Sequence, residues 1–151
     1  MITIKEITTE NIDDVLALKV RDDQKSFVVT NAESLAKAYV YSKTAYPFAV
    51  YDDETPVGFI MMGYYEAKGY YTLWEFMIDQ NYQNKGYGRQ ALNLGIKFVK
   101  DTFNPESIYT GVAPGNAVAK GLYESVGFVS TGLVELGMEE MKLSLKNEND
   151  N

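Results

Sequence analysis

Gln83-Asn84-Lys85-Gly86-Tyr87-Gly88-Arg89 is a stretch whose residue types and spacing suit the holding of an anion. It follows a strand-like run, Leu73 to Ile78, and opens a helical pattern. Glycines at 86 and 88 allow backbone conformations that a side chain forbids, so several N–H groups can converge on one point. The helix that follows brings its unpaired first-turn amides and positive dipole end to the same place. Lys85 and Arg89 flank it with fixed positive charge. The expected guest is a phosphate or pyrophosphate.

Three phosphate-binding patterns compete. A P-loop needs two glycines bracketing four residues and then Lys-Ser/Thr; here Lys85 precedes Gly86 and no such pair follows. Gly86-Tyr87-Gly88-Arg89-Gln90-Ala91 satisfies the relaxed dinucleotide pattern. That pattern also wants an acidic residue at the end of the next strand, and the strand from about Ser107 to Val112 runs instead into Ala113-Pro114-Gly115. The third pattern, Gln/Arg-x-x-Gly-x-Gly/Ala after a strand, resembles the acetyl-coenzyme A loop of the GNAT N-acetyltransferase superfamily. Asn116, Tyr123 and the closing Gly127-Phe128 stand where that family places its second motif.

The resemblance implies an enzyme that moves an acetyl group from acetyl-coenzyme A, its cosubstrate, to a primary amine without a metal. It implies that Gln83 through Arg89 hold the cofactor, with Asn116 contacting it and Lys120 within reach of a phosphate. Backbone groups of Met77 and Ile78 would pair with the pantetheine amides like an added strand, and an N–H of that strand would face the thioester oxygen. Tyr123 would protonate the departing thiolate; a phenol of pKa about 10 keeps its proton at neutral pH and can release it as charge develops. An alkylamine of pKa about 10 costs on the order of 4 kcal/mol to deprotonate at pH 7, so a base should assist. Glu75 is the candidate, with substrate binding or a structural role as its alternatives.

These residues need elements to place them. Ile2 to Ile7 alternates apolar and polar and reads as a strand. Thr9 reads as the cap of a first helix with Ile12, Val15, Leu16 and Val20 inward, and Asn31 as the cap of a second with Leu35, Ala38 and Tyr39 inward. Between them lies a loop, Arg21 to Thr30. Pro47 to Tyr51 and Pro56 to Tyr65 form a hairpin, joined by Tyr70 to Asp79. In that last strand Trp74, Phe76 and Ile78 alternate with Glu75, Met77 and Asp79, giving an apolar face and a face with both carboxylates. A helix over about 88–102, a strand over 107–112, a helix from Asn116 to Gly127 and a final hairpin complete the order β-α-α-β-β-β-α-β-α-β-β. This α/β (α+β) reading, a mixed, mostly antiparallel sheet flanked by helices, is also the GNAT order. It makes one domain of residues 1–146 with a polar tail, 147–151.

Composition narrows the chemistry. The chain of 151 residues holds no cysteine and no histidine, which rules out disulfides, thiolate or imidazole metal sites and an imidazole base. The formal net charge of -7 disfavours nucleic acid and suits a cationic substrate. No run reaches the length of a membrane span and no signal-peptide layout is present, so a cytoplasmic location without membrane contact is expected.

The stretches Asp22 to Val28, Asn31 with Ser34, Pro47 to Tyr51, Pro56 to Met61 and Trp74 to Asp79 resemble bacterial spermine/spermidine acetyltransferases. That resemblance points to a polyamine acceptor, with Asp22, Asp23, Glu33 and Glu75 for its ammonium groups and Trp74 for cation–π contact, and to a homodimer. Aminoglycosides, amino acids and protein N-termini stay open as acceptors, and a non-catalytic acyl-coenzyme A sensor stays open as a function.

Overall fold

The computed structural model describes residues 1–146; the tail expected at 147–151 lies outside the described residues. Seven strands form one sheet in the order β1-β2-β3-β4-β5-β7-β6. They are β1 (Ile2–Glu6), β2 (Ala45–Asp52), β3 (Thr55–Tyr65), β4 (Tyr70–Ile78), β5 (Ser107–Val112), β6 (Val129–Glu135) and β7 (Met138–Ser144). The helices are α1 (Ile12–Ala17), α2 (Asn31–Val40), α3 (Tyr87–Phe103) and α4 (Ala117–Ser125), with a short 3-10 turn, Asp22–Gln24, inside the expected loop. Element order agrees with the sequence reading.

Helix starts differ in detail. Thr30 rather than Asn31 caps α2, its hydroxyl accepting from the Glu33 N–H at 3.2 Å. Asn31 is instead buried, with Nδ2 donating to the Val15 carbonyl at 2.9 Å. α1 begins only at Ile12, because Asn11 closes a turn, accepting from the Thr8 N–H and donating to the Glu6 carbonyl. With six residues α1 cannot carry a long inward stripe: Val15 is buried, whereas Leu16 is 43% exposed. On α2 the inward face is Asn31, Ser34 and Ala38, and Tyr39 turns to solvent at 84% exposure.

Apolar layers cover both faces of the sheet. Ile60, Met62, Leu73, Leu92, Val99 and Phe128 belong to one; Val15, Ala49, Phe59, Met61 and Met77 belong to the other. Successive side chains of a strand point to opposite faces, so Met61 and Met62 serve one layer each, and both are fully buried.

Two irregularities shape the centre of the sheet. The β3–β4 register passes from Met61↔Glu75 to Met62↔Leu73 and leaves Trp74 as an extra residue, a β-bulge. The bulge overrides the simple alternation: Trp74 packs in the layer of Met77, while Phe76 packs in the opposite one. The second irregularity is that β4 and β5, the parallel pair, meet only at Tyr71↔Ile108 and Thr72↔Tyr109. The Thr110 hydroxyl donates to the Leu73 carbonyl at 3.1 Å, and beyond that bond the strands part.

Candidate active site

The parting of β4 and β5 opens a cleft of ≈ 680 Å³ whose lining includes Trp74 to Ile78, the loop after β4, the N-terminal end of α4 and residues 24–29. The loop at its mouth has the backbone that an anion cradle requires. Gly86 takes φ 81° as the residue before α3, in a region that L side chains rarely adopt. The second left-handed residue is Asn84, at φ 62°. Gly88 also lines the cleft. It is helical, and a Cβ there would meet Leu122 Cδ2 at 3.4 Å and Phe76 Cζ at 3.6 Å, ordinary contact distances where α3, α4 and β4 come together. Arg89 lines the cleft; Lys85 stands beside it on the exposed side of the loop. Neither forms an ion pair among the described residues. Tyr87 donates its hydroxyl to Asp52 Oδ2 at 2.7 Å, fixing the ring against the sheet.

Backbone direction along β4 follows from one hydrogen bond. The Asp79 N–H donates to the Val57 carbonyl at 2.8 Å, and the register continues as Gly58↔Ile78, Phe59↔Met77 and Ile60↔Phe76. In an antiparallel ladder alternate residues turn both backbone groups to the same neighbour. Met77 therefore turns to β3 with Asp79, and Phe76 and Ile78 turn to the gap. Met77, expected to offer its backbone to a ligand, contributes its side chain to the layer under α1 and α2 instead. Phe76 takes its place at the gap. The Ile78 carbonyl already accepts from Gln83 Nε2 at 2.9 Å, leaving its N–H and both groups of Phe76 for a ligand.

Tyr123 and Glu75 share the cleft. Asn116 caps α4, Oδ1 accepting from the Ala119 N–H at 3.3 Å, and two turns later Tyr123 lies in the same lining. Tyr123 is 9% exposed; burial, and then the charge of Glu75, push its phenol up to about 12. Burial likewise pushes Glu75 up to about 7, with the Lys37 ammonium pulling it down and Glu33 pushing it up by smaller amounts. Buried Asp79 is structural: it accepts from the N–H groups of Lys19 and Asn81, both at 2.9 Å. Two titratable groups, both pushed upward by burial in one cleft, give a proton acceptor near neutrality and a donor that keeps its proton.

Other expected residues lie elsewhere. Asp22 and Asp23 are exposed, outside the lining, and paired with Lys25 at 2.7 Å and Arg21 at 3.2 Å; the Lys25 bond holds the Asp22 carboxyl below its usual range. Glu33 stands on the exposed face of α2, 3.9 Å from Lys37. Lys120 turns away from the loop to Glu139, with both oxygens at 3.2 Å. Gln24 and Thr110 line the cleft without having been singled out. Strand alternation and turn chemistry carry no signal for them; their roles come from β4–β5 divergence and a contact spanning 59 residues.

A model of the acetyltransferase (GNAT) family matches residues 12–128. The spermine/spermidine N(1)-acetyltransferase of Bacillus subtilis (strain 168) is 30% identical over 148 residues, covering 93% of this chain and 95% of the relative. The spermidine N-acetyltransferase from Vibrio cholerae, solved in complex with CoA and spermine, superposes with a TM-score of 0.76 at 20% identity, covering 95% of each chain. The PaiA N-acetyltransferase from Thermoplasma acidophilum, in complex with coenzyme A, gives 0.71 at 16% identity, covering 95% of this chain and 99% of that one. At such identities these two likenesses are of fold.

Proposed function

The chain belongs to the acetyltransferase (GNAT) family and is an acetyl-CoA-dependent N-acetyltransferase, and from that premise we propose that it acetylates a primary amine of a polyamine such as spermidine or spermine. The observation that carries the reading is the meeting of Glu75 and Tyr123 on one cleft beside the unpaired edge of β4. The acceptor class is supported by the relative named for spermine and spermidine.

In this reading the amides and charges of residues 83–89 hold the phosphates of acetyl-CoA, with Asn116 beside them. The free backbone groups of Phe76 and Ile78 receive its pantetheine amides and face the thioester oxygen. Glu75 takes a proton from the ammonium, directly or through water, and the freed amine attacks the thioester carbon. Tyr123 gives its proton to sulfur as the carbon–sulfur bond breaks, and the nitrogen's second proton, lost as the amide forms, restores the phenol. The products are the N-acetylated amine and coenzyme A, and the proton held by Glu75 passes to solvent. Trp74 packs beside the acceptor, and Asp22, Asp23 and Glu33 meet distal ammonium groups outside the cleft. One domain over 1–146, a cytoplasmic location and a homodimer belong to the same proposal; β6, exposed along all seven residues, offers surface for the second subunit.

A second reading has an observation of its own. The wall at residues 24–29 presents Phe27, Val28 and Val29, and among the described residues Glu75 is the one carboxylate in the cleft lining. An amine with an apolar body fits that wall as well as a polyamine chain does. Thiol release from acetyl-CoA with spermidine, spermine, a lysine peptide, an aminoglycoside and an apolar monoamine separates the two. Turnover fastest with polyamines supports the first; preference for the monoamine moves the assignment to the second. Binding without turnover across a wide panel would favour an acyl-CoA sensor.

A further inference from the structure

The segment from Lys19 to Asn31 forms one wall of the cleft, and its ends are firmly tied. The Lys19 N–H donates to Asp79 Oδ2 at 2.9 Å and the Lys19 carbonyl accepts from the Gln80 N–H at 2.8 Å. At the other end Asn31 reaches the Val15 carbonyl. Between those anchors, the hydrogen bonds and ion pairs of residues 21–29 close within the segment: Gln24 to Arg21, Lys25 to Asp22, Phe27 to Gln24 and the two Asp–cation pairs. Among the described residues one hydrogen-bonded contact leaves it, beside the half-burial of Phe27, Val28 and Val29. Gln24 and Gln83 bond reciprocally, Nε2 of Gln24 to Oε1 of Gln83 at 3.2 Å and Nε2 of Gln83 to Oε1 of Gln24 at 2.9 Å.

Both amides are locked in orientation. Gln83 Nε2 also donates to the Ile78 carbonyl, and Gln24 Oε1 also accepts from the Arg21 N–H at 3.1 Å; reversing either amide would set donor against donor. Gln83 in turn opens the loop whose left-handed Asn84 and Gly86 shape the anion cradle. A ligand that fixes residues 84–89 fixes Gln83, and through it the middle of the opposite wall.

We infer that Gln24 is a positioning residue of the acceptor site: its amide pair with Gln83 couples occupancy of the phosphate loop to the order of residues 20–30, so that coenzyme A and the amine each raise the other's affinity. The inference rests on the reading of residues 83–89 as the coenzyme A cradle. The coupling is reciprocal by linkage, since the ordering of the wall is met once for both ligands.

The test uses the full chain and Gln24→Ala. Calorimetry measures the Kd of coenzyme A with and without saturating spermidine, and hydrogen exchange follows residues 20–30 with and without coenzyme A. In the wild type, spermidine tightens coenzyme A about five- to tenfold and coenzyme A slows exchange across 20–30. In Gln24→Ala both effects vanish, with a coupling factor within about twofold of one, while the Kd of coenzyme A alone stays within about threefold. Gln24→Glu keeps the acceptor oxygen for Arg21 and Gln83 and retains part of the coupling. Undiminished coupling and protection in Gln24→Ala, or wild-type exchange over 20–30 indifferent to coenzyme A, overturns the inference. The exchange arm needs no amine, so a wrong acceptor silences only the calorimetric arm, whereas failure of coenzyme A to bind points to the loop reading itself.

Discussion

The two walls of the cleft are held in place by different means. On one, Phe76, Ile78, Gly86, Gly88 and Asn116 sit on β4, on α4 or at the start of α3, fixed by ladder bonds, a helix cap and a fully buried apolar layer. On the other, residues 21–29 are a loop with one short 3-10 turn, and among the described residues a single hydrogen-bonded pair of amides ties its middle to the rest of the molecule. On the proposed reading the first wall receives the cosubstrate, where rigidity reduces the entropy lost on binding. The second would then face the acceptor. Substitutions on the first wall should therefore alter catalysis or cofactor affinity strongly, and those at the margin of the second should act weakly and in an acceptor-dependent way.

The largest effect is expected at Tyr123. Tyr123→Phe removes the proton donor while keeping the ring that packs against Phe128, and kcat should fall about 100-fold or more with the Kd of coenzyme A unchanged by calorimetry. An unchanged kcat would remove the phenol from the reaction. Next comes Gly86→Val. A branched side chain at φ 81° costs about 1–2 kcal/mol in the backbone, and coenzyme A should bind about tenfold more weakly; unaltered binding would show that the left-handed turn is not part of the cradle.

Glu75 tests the joint between the walls. Its carboxyl titrates near 7 in the folded chain against 4.5 as the ordinary value, so folding favours the protonated form. That contribution is complete below about pH 4.5 and is lost as pH rises through about 7. Glu75→Gln should therefore equal the wild type in stability near pH 4 and exceed it at pH 8 by about 1–2 kcal/mol, after discounting for partial solvent access. In kinetics, kcat/KM of the wild type should show a bend near pH 7 that Glu75→Gln lacks, the variant being about tenfold slower at pH 8. A bend that survives the substitution assigns it to another group. The smallest effects belong to the exposed charges. Asp22→Asn with Asp23→Asn should raise KM for spermine about twofold and leave a monoamine unaffected, and Lys120→Ala should leave the Kd of coenzyme A within twofold.

What could be read from the chain alone follows the same division. The strands, α3, α4 and the turn between β4 and α3 were legible because their signals are local: period-two patterns, Asn116 as a cap, glycines beside a strand end. Trp74 was misplaced because a bulge is set by the partner strand, and nothing in Leu73-Trp74-Glu75 announces that Met61 and Met62 face residues two apart. Met77 was chosen over Phe76 because ladder phase depends on pairing. Lys120, Asp22 and Asp23 were assigned by charge, and charge does not reveal that Glu139, Lys25 and Arg21 stand next to them. Gln24 and Gln83 lie 59 residues apart, and two glutamines of ordinary type give no sign that they will meet.

The short junction between β4 and β5 also bears on handling. Two residue pairs and one threonine hydroxyl make the strand-to-strand junction between a four-stranded piece and a three-stranded one, with Lys68, Tyr70 and Tyr109 bridging the same end, and leave a bare strand edge beyond it. Such an edge can pair with any extended chain that reaches it, including that of a misfolded neighbour. On the proposed reading the cosubstrate would lie along it as a suture: at 100 times its Kd it would add about 2.7 kcal/mol to the folded state and shield the edge. Added coenzyme A should therefore raise thermal stability and suppress aggregation during concentration, storage and crystallisation.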